Sequence, residues 1–178
     1  MRKIIVELAH DLLDKYINKE DILVDATMGN GNDTLFLAKR ASHVYAFDIQ
    51  DEALNNTYEK VKDFNNVTLI KDSFENIYNY VTNFKGVVFN LGYLPKGDKN
   101  ITTKSEITLK TFKMLINNLI NDQFILYVIY PGHKEGMEES LSLQNQIKML
   151  DSTFKVLKIE LLNQDNNPPY IIFIKKEK

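Results

Sequence analysis

The chain has 178 residues and 44% of them are hydrophobic, which is enough for one domain with a sizeable core. Its formal net charge of −2 supplies no overall basic field, so an RNA partner would have to bind a local patch. The absence of cysteine excludes thiolate-held iron–sulfur clusters and a cysteine nucleophile, and it fits a reducing cytoplasm. No apolar run approaches the roughly 20 residues that span a bilayer, so we expect a cytoplasmic protein with no membrane partner.

Strand and helix patterns alternate along the whole chain, without a repeat or a linker. Helices are predicted over residues 4–16, from 34 onwards, 52–64, 74–81, 105–119 and 137–150, and strands over residues 22–27, 43–48, 67–70, 86–91, 123–130, 154–162 and 170–174. The last two strands are joined by a short polar loop and should pair antiparallel. We therefore predict a Rossmann-like α/β fold, with a seven-stranded, mostly parallel sheet and an antiparallel last strand, in a single domain over 1–178.

The most informative segment lies between the first predicted strand and the helix after it, where residues 24–34 read VDATMGNGNDT. Strand, glycine turn and helix form a nucleotide-type cofactor site at the carboxyl edge of a parallel sheet. A nicotinamide dinucleotide pattern would have a third glycine at Thr34, and Asp33 would compete with a pyrophosphate at the positive helix end. S-adenosylmethionine (SAM) has no phosphate and carries a sulfonium and an ammonium, so a turn flanked by Asp25 and Asp33 favours it. Alternatively, Asp33 only caps the helix.

Further cofactor residues are expected after the second and third strands. An acidic residue about 20 residues after such a turn accepts bonds from ribose hydroxyls, and Asp48 has this position. Asp72 ends the third strand, where such enzymes hold adenine, and Phe74 could either cover the ring or belong to the core. Asn30 and Asn32 could instead serve only as residues that tolerate left-handed backbone angles. The residues assigned to the cofactor are Asp25, Thr27, Gly29, Asn30, Gly31, Asn32, Asp33, Asp48, Ile49, Asp72, Ser73 and Asn90.

Polar residues after the fourth and fifth strands form the predicted reacting end. The segment FNLGYLP resembles the Asn-Pro-Pro-Tyr motif of amine-methylating enzymes, in which the Asn accepts bonds from the target amine and the aromatic ring stacks on the base. By this resemblance Asn90 and Tyr93 are candidate catalytic residues. His133 could bind substrate or relay a proton and is the third candidate. His10 and His43 are expected to be structural, and three scattered histidines predict no metal site.

An amine acceptor fits this site better than an alcohol does. An aliphatic amine has a pKa near 10.4, so its neutral form costs roughly 4–5 kcal/mol at pH 7. Orienting the nucleophile and the methyl group in line contributes about 7–11 kcal/mol. An amine therefore needs orientation more than a strong base, whereas an alcohol would need a base that the sequence does not reveal.

The segments DATMGNGNDT (25–34), FNLGYLP (89–95) and YPGH (130–133) together resemble a family of small bacterial proteins long labelled putative rRNA methylases. Its characterised members look like tRNA methyltransferases of the wobble uridine. The resemblance implies SAM as the cofactor and conversion of the 5-aminomethyl group of tRNA wobble (thio)uridine to 5-methylaminomethyl. The alternating βα units that end in a hairpin also match the sheet of class I SAM-dependent methyltransferases. Asn32 departs from the family pattern, which has histidine at this position.

The tRNA anticodon region is the expected partner, and it is implied by the resemblance alone. A homodimer is expected, because a small protein without a basic field needs more surface to reach an anticodon. A local patch could be formed by Lys96, Lys99, Lys104, Lys110 and Lys113, although each could simply be solvated. The alternatives are methylation of rRNA or of a small-molecule amine, a non-catalytic module that binds SAM or a nucleotide, and an NAD-dependent reductase.

Overall fold

A seven-stranded sheet forms the centre of the computed structural model, which describes residues 2–92 and 105–177. The helices are α1 (Arg2–Leu13), α2 (Asn32–Ala38), α3 (Asp51–Val61), α4 (Ser105–Asn118) and α5 (Lys134–Ile147), with a 3₁₀ helix over Phe74–Asn79. The strands are β1 (Ile22–Asp25), β2 (His43–Asp48), β3 (Val67–Lys71), β4 (Gly86–Leu91), β5 (Phe124–Ile129), β6 (Phe154–Ile159) and β7 (Tyr170–Lys176). Strands and helices alternate as far as α5, and β6 and β7 then follow each other directly, as predicted.

The strand order is β3-β2-β1-β4-β5-β7-β6. The first five strands pair in parallel, whereas β7 pairs antiparallel with both β5 and β6. This confirms the predicted mostly parallel sheet with an antiparallel last strand. The strand order reverses at β1, which lies between β2 and β4. In open α/β sheets the ligand crevice lies outside the carboxyl ends of the strands at such a switch point.

Two apolar layers fix the helices on the two faces of the sheet. β5 is buried along its whole length because both of its faces are covered. Leu126 packs in one layer with Ile5 and Leu13 of α1, and Ile125 packs in the other with Leu115 of α4. Each such side chain stabilises the fold by about 1.5–3 kcal/mol relative to an exposed one. Within residues 2–92 and 105–177, no helix is long and apolar enough to cross a bilayer.

Several element ends differ from the sequence prediction. β1 ends at Asp25 instead of residue 27, α3 ends at Val61 instead of residue 64, and α5 spans Lys134–Ile147 instead of 137–150. The segment 74–81 forms only a short 3₁₀ helix, closed by i→i+3 bonds such as Tyr80 N to Ile77 O at 3.0 Å. α1 ends at Leu13 instead of residue 16, and the Lys15 N to Leu12 O and Tyr16 N to Leu13 O bonds that follow it have the i→i+3 pattern. β6 ends at Ile159 instead of residue 162. Leu162 is 90% exposed, so the apolar sequence pattern that predicted this strand extends beyond the residues that pair in the sheet.

Candidate active site

The carboxyl ends of β1, β2 and β4 bring several predicted site residues into one crevice. Asp25 ends β1, Asp48 ends β2 and Asn90 is the penultimate residue of β4. The backbone N–H of Gly29 donates to Asp48 Oδ2 at 3.1 Å, and that of Asn90 donates to Thr27 Oγ1 at 2.7 Å. These bonds tie the glycine turn to the predicted ribose-binding residue and to the predicted catalytic residue.

The glycine turn has a backbone that glycine adopts without strain. Gly29 has φ 50° and Gly31 has φ 73°, both in the left-handed region. A Cβ added to Gly31 would lie 2.8 Å from the Cα of Thr57, so α3 packs directly against this glycine. The turn therefore tolerates no side chain at Gly31.

Asn30 and Asn32 attach the glycine turn to α3. Asn56 Nδ2 donates to Asn30 Oδ1 at 3.0 Å, and Lys60 Nζ donates to Asn32 Oδ1. Neither asparagine is among the described non-glycine residues with positive φ. The interpretation that they serve as left-handed residues is therefore wrong, because their side chains instead hold the turn. A contact of either residue with the cofactor stays a prediction.

Asp25 supports the turn from inside the protein. It is 1% exposed and accepts hydrogen bonds from Thr34 Oγ1 at 2.6 Å and from Thr27 N at 3.2 Å. Burial, and secondly the negative charge of Asp33, raise the pKa of Asp25 to about 7, since both disfavour the charged form. Thr34, at the position of the third glycine in a dinucleotide-binding pattern, is thus a hydrogen-bond donor to a buried carboxyl group.

Asp33 connects two other elements to the turn. Its Oδ1 lies 2.7 Å from His10 Nε2 on α1, and its Oδ2 accepts from Asn90 Nδ2 at 2.9 Å. The N-cap residue of α2 is Gly31, which makes no side-chain capping bond. The interpretation that Asp33 only caps the helix is therefore wrong. His10 was expected to be structural only, and its contact with Asp33 places it at the site.

Asn90 has a buried side-chain acceptor that no described residue uses. The ionised carboxylate of Asp33 can only accept hydrogen bonds, so the Nδ2 of Asn90 must face it and Oδ1 must point elsewhere. That Oδ1 is buried and has no hydrogen-bond partner within the described part of the chain. A buried oxygen without a donor costs about 1–3 kcal/mol, so the site favours a ligand that carries an N–H or O–H donor.

Asp48 is fixed by backbone N–H groups of the glycine turn and of the residue that precedes α3. Its Oδ1 accepts from Gln50 N at 3.1 Å and its Oδ2 accepts from Gly29 N. Burial raises the pKa of this carboxyl group, although the backbone bonds oppose the shift. The next residue, Ile49, is 51% exposed, an apolar side chain at the rim of the crevice. The predicted contacts of Asp48 with ribose and of Ile49 with the cofactor remain compatible with these positions.

Asp72 is held by more partners than the sequence indicated. It accepts hydrogen bonds from Asn76 Nδ2 at 2.9 Å, from Tyr80 Oη at 2.9 Å and from Ser73 N at 2.7 Å. These bonds lower the pKa of Asp72, and the bond from Asn76 contributes most. The Ser73 hydroxyl caps the 3₁₀ helix. Phe74 is buried, so its packing supports the core alternative that the sequence left open.

The remaining predicted residues lie farther along the chain. His133 is the N-cap of α5 and its Nδ1 accepts from Gly136 N at 3.0 Å, a structural role that the sequence analysis missed. Its role in the reaction stays a prediction. Tyr93 lies outside the described residues, as do three of the patch lysines, namely Lys96, Lys99 and Lys104. Lys110 pairs with Glu75 at 2.8 Å, and Lys113 is exposed.

The charge around the glycine turn is negative. Asp25, Asp33 and Asp48 place three carboxyl groups there, of which Asp25, with its pKa of about 7, is partly protonated at neutral pH. Lys60 reaches the turn through Asn32, and among the described basic side chains only His10 forms an ion pair with any of the three carboxyl groups. Such a site attracts a cation and repels a diphosphate. Over residues 2–92 and 105–177, no group of three or more His, Cys, Asp or Glu residues could hold a metal ion.

The sheet order, the antiparallel β7 and the acidic glycine turn define a class I SAM-dependent methyltransferase. The family model described as "Putative rRNA methylase" matches residues 44–175, which is most of the chain. The chain belongs to this family.

Relatives over the whole chain agree with this assignment. The chain is 34% identical to a tRNA (mnm(5)s(2)U34)-methyltransferase, chloroplastic, from Arabidopsis thaliana, over 99% of this chain and 71% of the relative. It is 39% identical to a putative rRNA-methylase from Clostridium thermocellum, with a TM-score of 0.91 and 97% of both chains covered. It is also 39% identical to a putative methyltransferase from Streptococcus mutans in complex with SAH, with a TM-score of 0.88 and 97% of both chains covered.

Proposed function

We propose that this protein is an N-methyltransferase that converts the 5-aminomethyl group of tRNA wobble (thio)uridine to 5-methylaminomethyl. The observation that carries the proposal is the buried Oδ1 of Asn90, an acceptor without a partner among the described residues, beside an acidic turn. The plant relative, 34% identical along almost the whole chain, has a name that refers to the same class of wobble nucleoside. In this proposal the tRNA anticodon region is the partner. The protein acts in the cytoplasm, has a single domain over 1–178 and assembles as a homodimer.

The residues around the turn fit SAM, which supplies an electrophilic methyl group on a sulfonium when bound. The acidic turn complements its cations, and no phosphate has to be placed near Asp33. In this proposal Asp48, at the end of β2, accepts from the ribose hydroxyls, Asp72 accepts from the adenine amine, and the exposed Ile49 contacts the cofactor. Gly29 N donates to Asp48, Thr34 Oγ1 donates to Asp25, and Thr27 Oγ1 accepts from Asn90 N, so these bonds hold the site residues around the turn. Gly31 packs directly against Thr57 of α3.

The acceptor amine would be oriented by Asn90. Its Oδ1 would accept one N–H of the neutral amine, which leaves the nitrogen lone pair available for the methyl group. The new carbon–nitrogen bond would form as the bond between the methyl group and the sulfonium breaks. SAH would be the leaving group, and the methylated ammonium would lose one proton to water. Orientation of this kind contributes about 7–11 kcal/mol, more than the roughly 4–5 kcal/mol needed to neutralise the amine at pH 7. The predicted role of Tyr93 is to stack on the base, and that of His133 is to assist at the substrate.

An alternative substrate is rRNA or a small-molecule amine. The family description refers to rRNA, and the net charge of −2 gives no general preference for RNA. Both alternatives use the same SAM site and the same Asn90 acceptor, so the substrate has to be decided by experiment.

The test is methyl transfer by the purified full-length protein, with SAM and three separate acceptors. These are tRNA that carries 5-aminomethyl-2-thiouridine, ribosomal RNA, and a simple primary amine. Mass spectrometry of the nucleosides should show one added methyl group on the wobble nucleoside of tRNA. Methylation of ribosomal RNA or of the free amine, with the tRNA unchanged, would reject the proposed substrate.

A further inference from the structure

His10 reaches the candidate active site from the first helix. Its Nε2 lies 2.7 Å from Asp33 Oδ1, and its ring stacks on Phe36 with centroids 3.8 Å apart and an interplanar angle of 12°. The side chains of His10 and Asp33 are 22% and 13% exposed, so the pair is largely shielded from water. α1 itself is anchored by Ile5 and Leu13, which are fully buried.

The chemistry of Asp33 determines the direction of both of its bonds. An ionised carboxylate has no proton to donate, so His10 must donate from Nε2 and Asn90 must donate from Nδ2. The amide of Asn90 is therefore locked in the one orientation that turns Oδ1 away from Asp33. The orientation of Asn90 depends on Asp33, and that of Asp33 depends on His10.

We propose that His10 is a positioning residue for methyl transfer, which rests on the function proposed above. Through Asp33, it keeps Oδ1 of Asn90 turned towards the acceptor amine. Without the His10 donor, the Asp33 carboxylate can rotate out of reach of Asn90 Nδ2, and the amide is then free to flip. A flipped amide has the same shape but presents Nδ2, a donor, to the N–H of the amine. The loss of His10 should therefore affect turnover much more than folding or cofactor binding.

Three variants of the full-length protein isolate this role. His10→Phe keeps a flat ring for stacking on Phe36 and removes the donor to Asp33. His10→Gln restores an N–H of similar reach without restoring the imidazole. His43→Phe is the matched control. It removes a histidine hydrogen bond of similar length, 2.8 Å between His43 Nε2 and Thr68 Oγ1, and this bond joins β2 to β3, away from Asp33.

Each variant is measured in two ways. The side-chain amide resonances of Asn90, observed by ¹⁵N NMR of the free protein, report the bond to Asp33 without any substrate. SAH affinity by calorimetry and the separate values of kcat and KM for tRNA report the effect on the reaction. We expect His10→Phe to shift the Asn90 amide resonances and to lower kcat about 10- to 100-fold, with SAH affinity nearly unchanged. His10→Gln should recover both signals, and His43→Phe should match the wild type.

Unchanged amide resonances and unchanged kcat in His10→Phe would overturn the proposal. Failure of His10→Gln to recover either signal would also overturn it, because the ring and not the donor would then matter. A wild-type protein that binds SAH but methylates no tRNA would count against the proposed substrate instead. The amide resonances need no substrate and would still decide whether His10 controls Asn90.

Discussion

The hydroxyl of Thr34 donates a 2.6 Å hydrogen bond to Oδ2 of Asp25, which joins the first turn of α2 to the end of β1. In a dinucleotide-binding pattern this position would be the third glycine, chosen for close packing of helix and strand. Here a side chain is required there, because the buried carboxyl group of Asp25 needs a donor.

Replacing that donor should weaken the fold. Thr34→Val keeps the shape of the side chain and leaves Oδ2 of Asp25 without its hydroxyl donor, at a cost of about 1–3 kcal/mol. The free energy of unfolding, measured by urea denaturation at pH 8, checks this. Thr68→Val changes an exposed threonine on β3 and should stay within about 0.5 kcal/mol of the wild type. Equal stabilities of the two variants would contradict the role of Thr34.

A methyl group at Gly31 should damage both the fold and the cofactor site. Gly31→Ala forces a Cβ into a left-handed backbone and to 2.8 Å from Thr57 Cα, so we expect a loss of about 1–3 kcal/mol in unfolding free energy and weaker SAH binding. Gly132→Ala is the matched control, because within the described part of the chain its Cβ would meet only Asn167 O, at 3.8 Å. Urea denaturation and calorimetry on both variants measure the difference. Similar results for the two glycines would argue against close packing of the turn.

The stability should fall as the pH rises from about 4.5 to about 7, partly because of Glu139. Burial raises the pKa of Glu139 from its ordinary value of 4.5 to about 7, although Thr108 donates to it at 2.6 Å. The folded state then holds a proton that the unfolded state has released, so unfolding is favoured progressively over this range. The effect is on the order of 3 kcal/mol.

Glu139→Gln isolates this contribution from that of Asp25, whose raised pKa acts in the same direction. The amide oxygen can still accept from Thr108, and the group no longer ionises. Unfolding free energies are measured at several pH values. The free energy of the variant relative to that of the wild type should increase between pH 4.5 and 7 and stay constant above pH 8. A difference that does not vary with pH would show that Glu139 does not titrate there.

Removing the Asn90 side chain should separate catalysis from cofactor binding. Asn90→Ala deletes the Oδ1 acceptor, and we expect kcat to fall about 100-fold, because the amine loses its orientation. SAH affinity should change far less. Asn118→Ala, at the exposed end of α4, is the control and should keep full activity. Normal turnover by Asn90→Ala would remove Asn90 from the reaction.

The fold could be predicted from the sequence because its signals are local. Each strand and helix has its own apolar period, and the short polar loop before β7 is enough to indicate antiparallel pairing. Asp25, Asp48 and Asn90 could be placed in one crevice for the same reason, because each ends or nearly ends a parallel strand.

The contacts that were missed join residues that no local pattern connects. His10 and Asp33 are 23 positions apart, on two helices, and the periodicity of α1 places His10 but not its partner. Tyr80 reaches back over the 3₁₀ helix to Asp72, and no helical period pairs side chains that are eight residues apart. His133 caps α5, and histidine is not among the residues that usually signal a helix start.

The position of β7 also has a consequence for biosynthesis. This strand is made after β5 and β6, yet it is inserted between them and pairs with both. A nascent chain that still lacks residues 170–176 exposes unpaired edges on β5 and β6, and such edges promote aggregation. The sheet can therefore close only after β7 has been synthesised and has left the ribosome, so β5 and β6 stay unpaired along these edges until then.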